Sequence, residues 1–444
     1  MSHQPSVPAL DVFWPDGRLV GRVLSPGPTY FAYADSWLAS GHNLSPLSVP
    51  FSSTPFRQRT NGFDALPGFL SDCLPDQWGR RLMALDFARL DLRPTPMKML
   101  SWVGQRGLGA LSFVPCLSEA SGGTWEAVRP LLLTREVQAV YQHKPSDAFA
   151  LLRRGGTAGG AFPKATVAWL PDDSFLIGGD VATAASLHPA CRLGLLKLDS
   201  EDDPTARSTD GRMEHAYMRM AQAAGIHTST TKLIADRSPE RTRHHLFVER
   251  FDCQPTSGLR AHVLTLAGAL HAHNLTYSNL FIATRRVTAD HKHVLEAVRR
   301  MLFNVRSGNA DDHGKNHSFR YHEASKTWAL SAAYDITLNF SESAVYHGLF
   351  PTSFGSAPRL PLLAAAAADA GVTQREFDGL DAAVQSAVAR WPEFAAAADL
   401  PTAEKKRAAL IHTRLAAELD TAVSVFQSRR LRPVHRAPDE GFAL

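Results

Sequence analysis

The sequence predicts an α+β chain built as a small β-rich domain followed by two lobes, the first β-rich and the second helical. Three observations predict this. Up to about residue 116, short apolar runs alternate with turn signals, as in DVFWPDGRLVGRVL, which is strand-and-turn patterning. From about 147 to 252, glycine-rich stretches separate further apolar runs such as LGLLKL. Beyond 260, apolar residues recur at helical spacing, most clearly at Val294, Leu295, Val298, Met301, Leu302 and Val305. A chain of 444 residues also exceeds the size at which one hydrophobic core stops growing.

The first unit spans 8–117. Pro15-Asp16-Gly17 between two strand-like runs is a hairpin signal. The runs PTYFAYADSWL and SPLSVPF follow, then a helix from Phe69 to Phe87 and a strand in GQRGLGALSFVP. Gly104, Gly107 and Gly109 have the wrong order for a nucleotide fingerprint and read as turn geometry. Residues 118–146 read as a linker, Ser118 to Gly123, and a connecting helix, Trp125 to Tyr141. The β-rich lobe, 147–252, opens with a glycine-rich hairpin, RRGGTAGGAFPKATVAWL, and a second hairpin at SFLIGG. A strand from Leu193 to Leu198 comes next, then a helix N-capped by Asp210 and stopped at Gly225, then a strand at 244–252. The helical lobe, 253–430, holds a helix whose stripe runs from His291 to Val305 and which ends at Ser307-Gly308, a capping box at Thr373 and Glu376, and a long last helix after Pro401. The tail, 431–444, and the basic stretch Ser428 to Arg436 read as a frayed terminus.

Composition narrows the function. Hydrophobic residues make up 44% and charged residues 20%, as in a globular protein with a large core. Cys73, Cys116, Cys191 and Cys253 are widely spaced, which argues against a disulfide framework or a zinc site. No basic-then-apolar leader opens the chain, and no run reaches the roughly 18–20 apolar residues of a membrane span. The expected location is the cytoplasm, without membrane contact. A net charge of +4 does not make a dedicated nucleic-acid binder.

The chemistry concentrates in Gly308-Asn-Ala-Asp311-Asp312-His313-Gly-Lys315-Asn316, followed nineteen residues after Asn316 by Asp335. Phosphoryl transfer needs a carboxylate to position the attacking hydroxyl and take its proton, and an Asn and an Asp to hold Mg²⁺ on phosphate oxygens. Protein kinases place the first Asp and the Asn five residues apart, with the second Asp beyond a hairpin. Asp311, Asn316 and Asp335 have that arrangement across HSFRYHEASKTWALS. Taken alone, the segment also fits a solvated polar loop in which Asp and Asn serve turns and caps. Upstream, Gly155, Gly156, Thr157, Gly159 and Gly160 precede Lys164 in a loop whose glycines allow backbone N–H groups close to phosphates. Lys197 lies in an apolar strand, where it either pairs with Glu214 on the next helix or snorkels from an edge.

Together, GGTAGGAFPKA, LLKLD, VERFD, GNADDHGKN and AAYDI resemble the HipA-like serine/threonine kinases of bacterial type II toxin–antitoxin systems. SPLSVPF, FLSDCLPDQWGRRL and GQRGLGALSF resemble their N-terminal domain. The likeness runs from about 18 to 340 and continues less distinctly to about 420. It implies a two-lobed protein-kinase-like fold using ATP and Mg²⁺. Asp311 would be the catalytic aspartate, with His313 and Lys315 shaping its loop and Lys315 near the transferred phosphate. Asn316 and Asp335 would bind Mg²⁺. Lys197 and the glycine loop with Lys164 would bind the ATP phosphates, and Val248, Glu249 and Phe251 would form the adenine hinge. Thr157 stands where the family usually has a regulatory serine, so autophosphorylation there is the implied control. The implied partners are an aminoacyl-tRNA synthetase as substrate and a helix-turn-helix antitoxin, through which any DNA contact would be indirect. The alternative is a catalytically silent, DNA-associated regulatory protein of the same fold.

Overall fold

The computed structural model describes residues 7–25, 27–59, 62–117, 125–144, 150–155, 162–178, 190–199, 210–239, 241–254, 259–339, 347–349 and 359–426. The expected linker, Ser118 to Gly123, and the basic tail from Ser428 lie outside them.

The first unit is a five-stranded sheet, β1 (Ala9–Phe13), β2 (Leu19–Leu24), β3 (Tyr30–Tyr33), β4 (Phe56–Arg57) and β5 (Ser112–Val114), in the order β4-β3-β2-β1-β5. The β1–β2 turn closes with Trp14 N–H on Arg18 O, and Gly17 takes the left-handed conformation (φ 87°) the turn requires. The end of the PTYFAYADSWL run is helical, α1 (Asp35–Ser40). The helix expected over 69–87 is two: α2 (Gly68–Ser71) and α3 (Gln77–Arg89). Pro75 explains the break, because proline lacks the N–H a continuous helix would use and pushes its predecessor out of helical space. A further helix, α4 (Pro96–Val103), begins at the Thr95 cap, whose side chain accepts from Lys98 N–H.

The β-rich lobe is a six-stranded antiparallel sheet. Its strands are β6 (Glu126–Val128), β7 (Lys164–Trp169), β8 (Phe175–Ile177), β9 (Arg192–Lys197), β10 (Thr231–Arg237) and β11 (Thr242–Glu249), in the order β10-β11-β9-β7-β8-β6. Two expectations change here. The connecting helix starts only at Pro130, as α5 (Pro130–Tyr141), and the residues before it form edge strand β6 of this sheet. The first arm of the glycine-rich hairpin is helical, α6 (Ala150–Gly155). Helix α7 (Asp210–Ala223) opens at Asp210, and Gly225 ends the run at φ 83°.

The helical lobe carries a short pair, β12 (Cys253–Gln254) with β13 (Leu259–Arg260), and a three-stranded sheet, β14 (Val263–Thr265), β15 (Ser318–His322) and β16 (Thr327–Leu330). Around them pack α8 (Leu266–Leu270), α9 (Tyr277–Thr288), α10 (His291–Ser307), α11 (Leu360–Asp369), α12 (Gln374–Ala389), α13 (Trp391–Ala397) and α14 (Thr402–Phe426). Helix α10 buries its Val294–Val298–Met301–Leu302–Val305 stripe and ends at Gly308 in the left-handed conformation. The Thr373–Glu376 capping box is present at the start of α12. All four cysteines are free thiols, three buried and Cys116 exposed. No helix among the described residues is long and apolar enough to cross a membrane.

The cores do not follow chain order. Apolar residues of the first unit, α7 and the helical lobe form one continuous cluster, from Leu10 and Trp37 through Tyr217 to Leu415. The β-rich lobe has its own cluster, into which α3 inserts Trp78 and Leu82. The first unit therefore packs against both lobes. Helix α2 lies close against α8: a Cβ at Gly68 would sit 2.0 Å from Gly268 O, and one at Gly268 would sit 2.2 Å from Asp72 Oδ2. Only glycine fits either position. Gly68→Ala is expected to destabilise the protein by about 1–3 kcal/mol or more, because rigid backbone has to move. Gly379→Ala is the control, since nothing lies within 4 Å of its added Cβ. Equal melting temperatures for the two variants would contradict the contact.

Candidate active site

A cleft of about 450 Å³ lies where the three units meet, within the size range of small-ligand sites. At its centre is the ammonium of Lys197, near the end of β9. Strand β9 is interior to its sheet, between β11 and β7, so Lys197 is not an edge residue. Its Nζ donates to both carboxylate oxygens of Glu214 on α7, each at 2.7 Å, and to Asp335 Oδ1 beyond β16. Burial opposes this charge, but Asp335 and Glu214 outweigh it and hold the Lys197 pKa above its ordinary value. Burial likewise opposes ionisation of Asp335, yet Lys197 and Lys164 bring it down to about 2. Asp335 sits in the left-handed region at φ 53°, a conformation that aspartate tolerates better than most residues.

Lys164, the first residue of β7, lies directly across the ladder from Lys197. Like charges facing each other on adjacent strands are unfavourable. Burial, followed by the Lys197 charge, lowers Lys164 to about 8.

The loop after α10 brings Asp311, His313, Lys315 and Asn316 to the same cleft. Asn316 Nδ2 donates to Asp311 O at 2.5 Å, closing the loop across five residues. His313 Nδ1 accepts from Lys315 N–H at 3.2 Å, which leaves Nε2 facing Asp311 Oδ1 at 3.5 Å. Burial raises the Asp311 pKa; His313 opposes this, and Asp335 and Asp312 add to it. Asp312 plays another part. It is buried and accepts from Tyr277 OH, from His347 Nδ1 at 2.8 Å and from Gly348 N–H at 2.6 Å, anchoring the loop from behind.

Val248, Glu249 and Phe251 also line the cleft and form another part of its wall. Phe251 stacks on Tyr334 with ring centroids 5.7 Å apart, and Tyr334 OH donates to Lys315 O at 2.6 Å. Between them, Arg250 pairs with Asp252, which also accepts from Gly109 N–H of the first unit at 2.7 Å. Gly109 thus serves turn geometry at φ 76° and tethers this wall as well. Among the expected phosphate-loop glycines, Gly155 ends α6 against Thr166 and Ile177 of the sheet, and is not among the residues lining the cleft. Gly156, Thr157, Gly159 and Gly160 lie outside the described residues.

Sequence reasoning missed the first unit's share of the cleft. Asp72, pushed up to about 6 by burial, accepts from Thr265 N–H and Oγ1 at 2.7 and 2.9 Å. Asp76 Oδ1 accepts from Lys315 Nζ at 2.7 Å. The only local signal was an Asp placed before a helix; its distant partner has no sequence signature.

The depressed lysine carries a stability signature. Between about pH 8 and 10.5 the unfolded chain binds more protons at Lys164 than the folded one, so this group's contribution to stability rises with pH there. Lys164→Met is expected to melt above the parent chain at pH 7, with the advantage shrinking between pH 8 and 10. An advantage independent of pH would contradict the buried charge.

Comparison with known proteins agrees with this architecture. Residues 156–418 match the HipA-like C-terminal domain family and residues 10–114 match the HipA N-terminal domain. Over 339 residues the chain is 27% identical to the protein named Putative kinase Y4mE of Sinorhizobium fredii, covering 71% of this chain and 74% of that one. HipA of Shewanella oneidensis MR-1, solved with HipB and operator DNA, superposes with a TM-score of 0.67 at 16% identity, over 95% of this chain and 100% of that one. The chain belongs to the HipA-like kinase family, with that family's N-terminal domain in front of a two-lobed kinase-like fold.

Proposed function

We propose that this protein is an ATP- and magnesium-dependent serine/threonine kinase, the toxin of a type II toxin–antitoxin module, acting on a translation component such as an aminoacyl-tRNA synthetase. The observation that carries the kinase reading is Lys197 bound at once to Glu214 and Asp335, in a cleft that also holds Asp311 and Asn316. Lys197 and Lys164 neutralise the ATP phosphates, and Val248, Glu249 and Phe251 frame the adenine. Asp311 orients the acceptor hydroxyl. As the acceptor oxygen bonds to the γ-phosphorus, the bond to the ADP oxygen breaks, and Asp311 takes the hydroxyl proton. His313 and Lys315 keep the loop in shape.

Asn316 and Asp335 fit a magnesium ion. The Asn316 amide nitrogen is engaged with Asp311 O and Asp335 Oδ1 with Lys197, while Asn316 Oδ1 and Asp335 Oδ2 accept no hydrogen bond from the described residues. Hard oxygen donors of this kind suit the ion. When bound, it supplies neutralising charge to the phosphates. The antitoxin partner is supported by the Shewanella HipA, solved with HipB and operator DNA; contact with DNA would pass through that partner. The synthetase substrate and autophosphorylation at Thr157 rest on the sequence resemblance.

Asp311→Asn is expected to lower phosphoryl transfer from labelled ATP by roughly 10²–10⁴-fold with the fold intact. In the parent chain the rate should fall with acidification, because a protonated Asp311 cannot accept the hydroxyl proton. Parent-like transfer by the variant would remove Asp311 from this role.

A further inference from the structure

Asp76 occupies the N-cap position of α3 in an extended conformation, yet its side chain makes no cap hydrogen bond. Aspartate is among the residues most favoured at an N-cap, where its carboxylate ordinarily accepts from the first turn. Here the carboxylate instead reaches the Lys315 ammonium, 239 residues away in sequence, at 2.7 Å. Two residues later, Trp78 Nε1 donates to the Lys164 carbonyl at 3.0 Å, with the indole buried. One end of one helix in the first domain therefore holds the catalytic-loop lysine of the helical lobe and the first strand residue of the lysine pair in the β-rich lobe. The segment before it is pinned as well, by Asp72 on Thr265.

The magnitude indicates what the contact is for. Lys315 and Asp76 side chains are 37% and 35% exposed. An ion pair this open adds little to stability. What it does restrict is a long, flexible side chain. Lys315 lines the same cleft as Asp311 and Asn316, and its backbone also receives the Tyr334 hydroxyl. We propose that Asp76 is a positioning residue for phosphoryl transfer: it fixes the Lys315 ammonium at the cleft wall, so the kinase site is completed by the N-terminal domain. This rests on the kinase reading above and adds that the two lobes alone do not make the full site.

The test uses the full chain with magnesium-ATP, summing γ-phosphate transferred to the chain's own hydroxyls and to water. Asp76→Asn is expected to lower the maximal rate roughly 10–100-fold, as loss of alignment does. Half-saturating ATP should stay within about twofold, marking a loss in the transition state and not in binding. Asp76→Glu, which keeps the carboxylate, should recover most of the rate. In a Lys315→Met background, Asp76→Asn should cost nothing more, because Asp76 acts through Lys315. An unchanged maximal rate in Asp76→Asn, or the same loss with Lys315 already replaced, would overturn the proposal. So would an Asp76→Glu variant that melts normally but is as slow as Asp76→Asn. Absence of Asp311-dependent transfer in the parent chain would instead remove the kinase reading itself.

Discussion

The cleft depends above all on the ammonium of Lys197, held by two carboxylates. Lys197 comes from the β-rich lobe, its first partner Glu214 from α7, and its second partner Asp335 from the segment after β16 in the helical lobe. Removing either carboxylate would leave a buried ammonium under-compensated and facing Lys164 across the ladder. The three-way contact therefore sets how the lobes meet, and it also keeps Asp335 ionised.

The N-terminal domain is part of that arrangement. It shares one hydrophobic core with the helical lobe, inserts Trp78 and Leu82 into the core of the β-rich lobe, and meets α8 through glycine backbone. Three of its groups then reach the cleft wall: Asp72 on Thr265, Asp76 on Lys315 and Gly109 N–H on Asp252. A small domain docked this tightly cannot drift from the site, since protein interiors resist gradual deformation.

What the sequence made legible was local. The α10 stripe and the stop at Ser307-Gly308 define a helix whose observed end is Ser307, with Gly308 in the left-handed conformation just beyond it, while the Asp290 cap emerges only in the structure. Asp311 and Asn316 share one loop, so their spacing could be read directly, and Asp335 follows a hairpin that is present as β15–β16. Whether Lys197 was buried or on an edge depended on sheet order, which a single strand does not reveal. Strand β6 has only three residues and pairs with β8, far along the chain, so the helical character of α5 masked it. Strand β10 carries Lys232, Asp236 and Arg237 and is only partly buried along its length, so it gave no clean alternation. Asp72 and Asp76 look like ordinary helix-flanking residues until the docking of domains supplies Thr265 and Lys315.

On the proposed function, one cleft binds ATP through magnesium held by Asn316 and Asp335. Calorimetric titration of ATP, with and without magnesium, into the parent chain and into Asn316→Ala and Asp335→Ala tests it most directly. Magnesium is expected to tighten ATP binding in the parent chain, and this gain to shrink or disappear in both variants. A magnesium effect of the same size in all three proteins would contradict it.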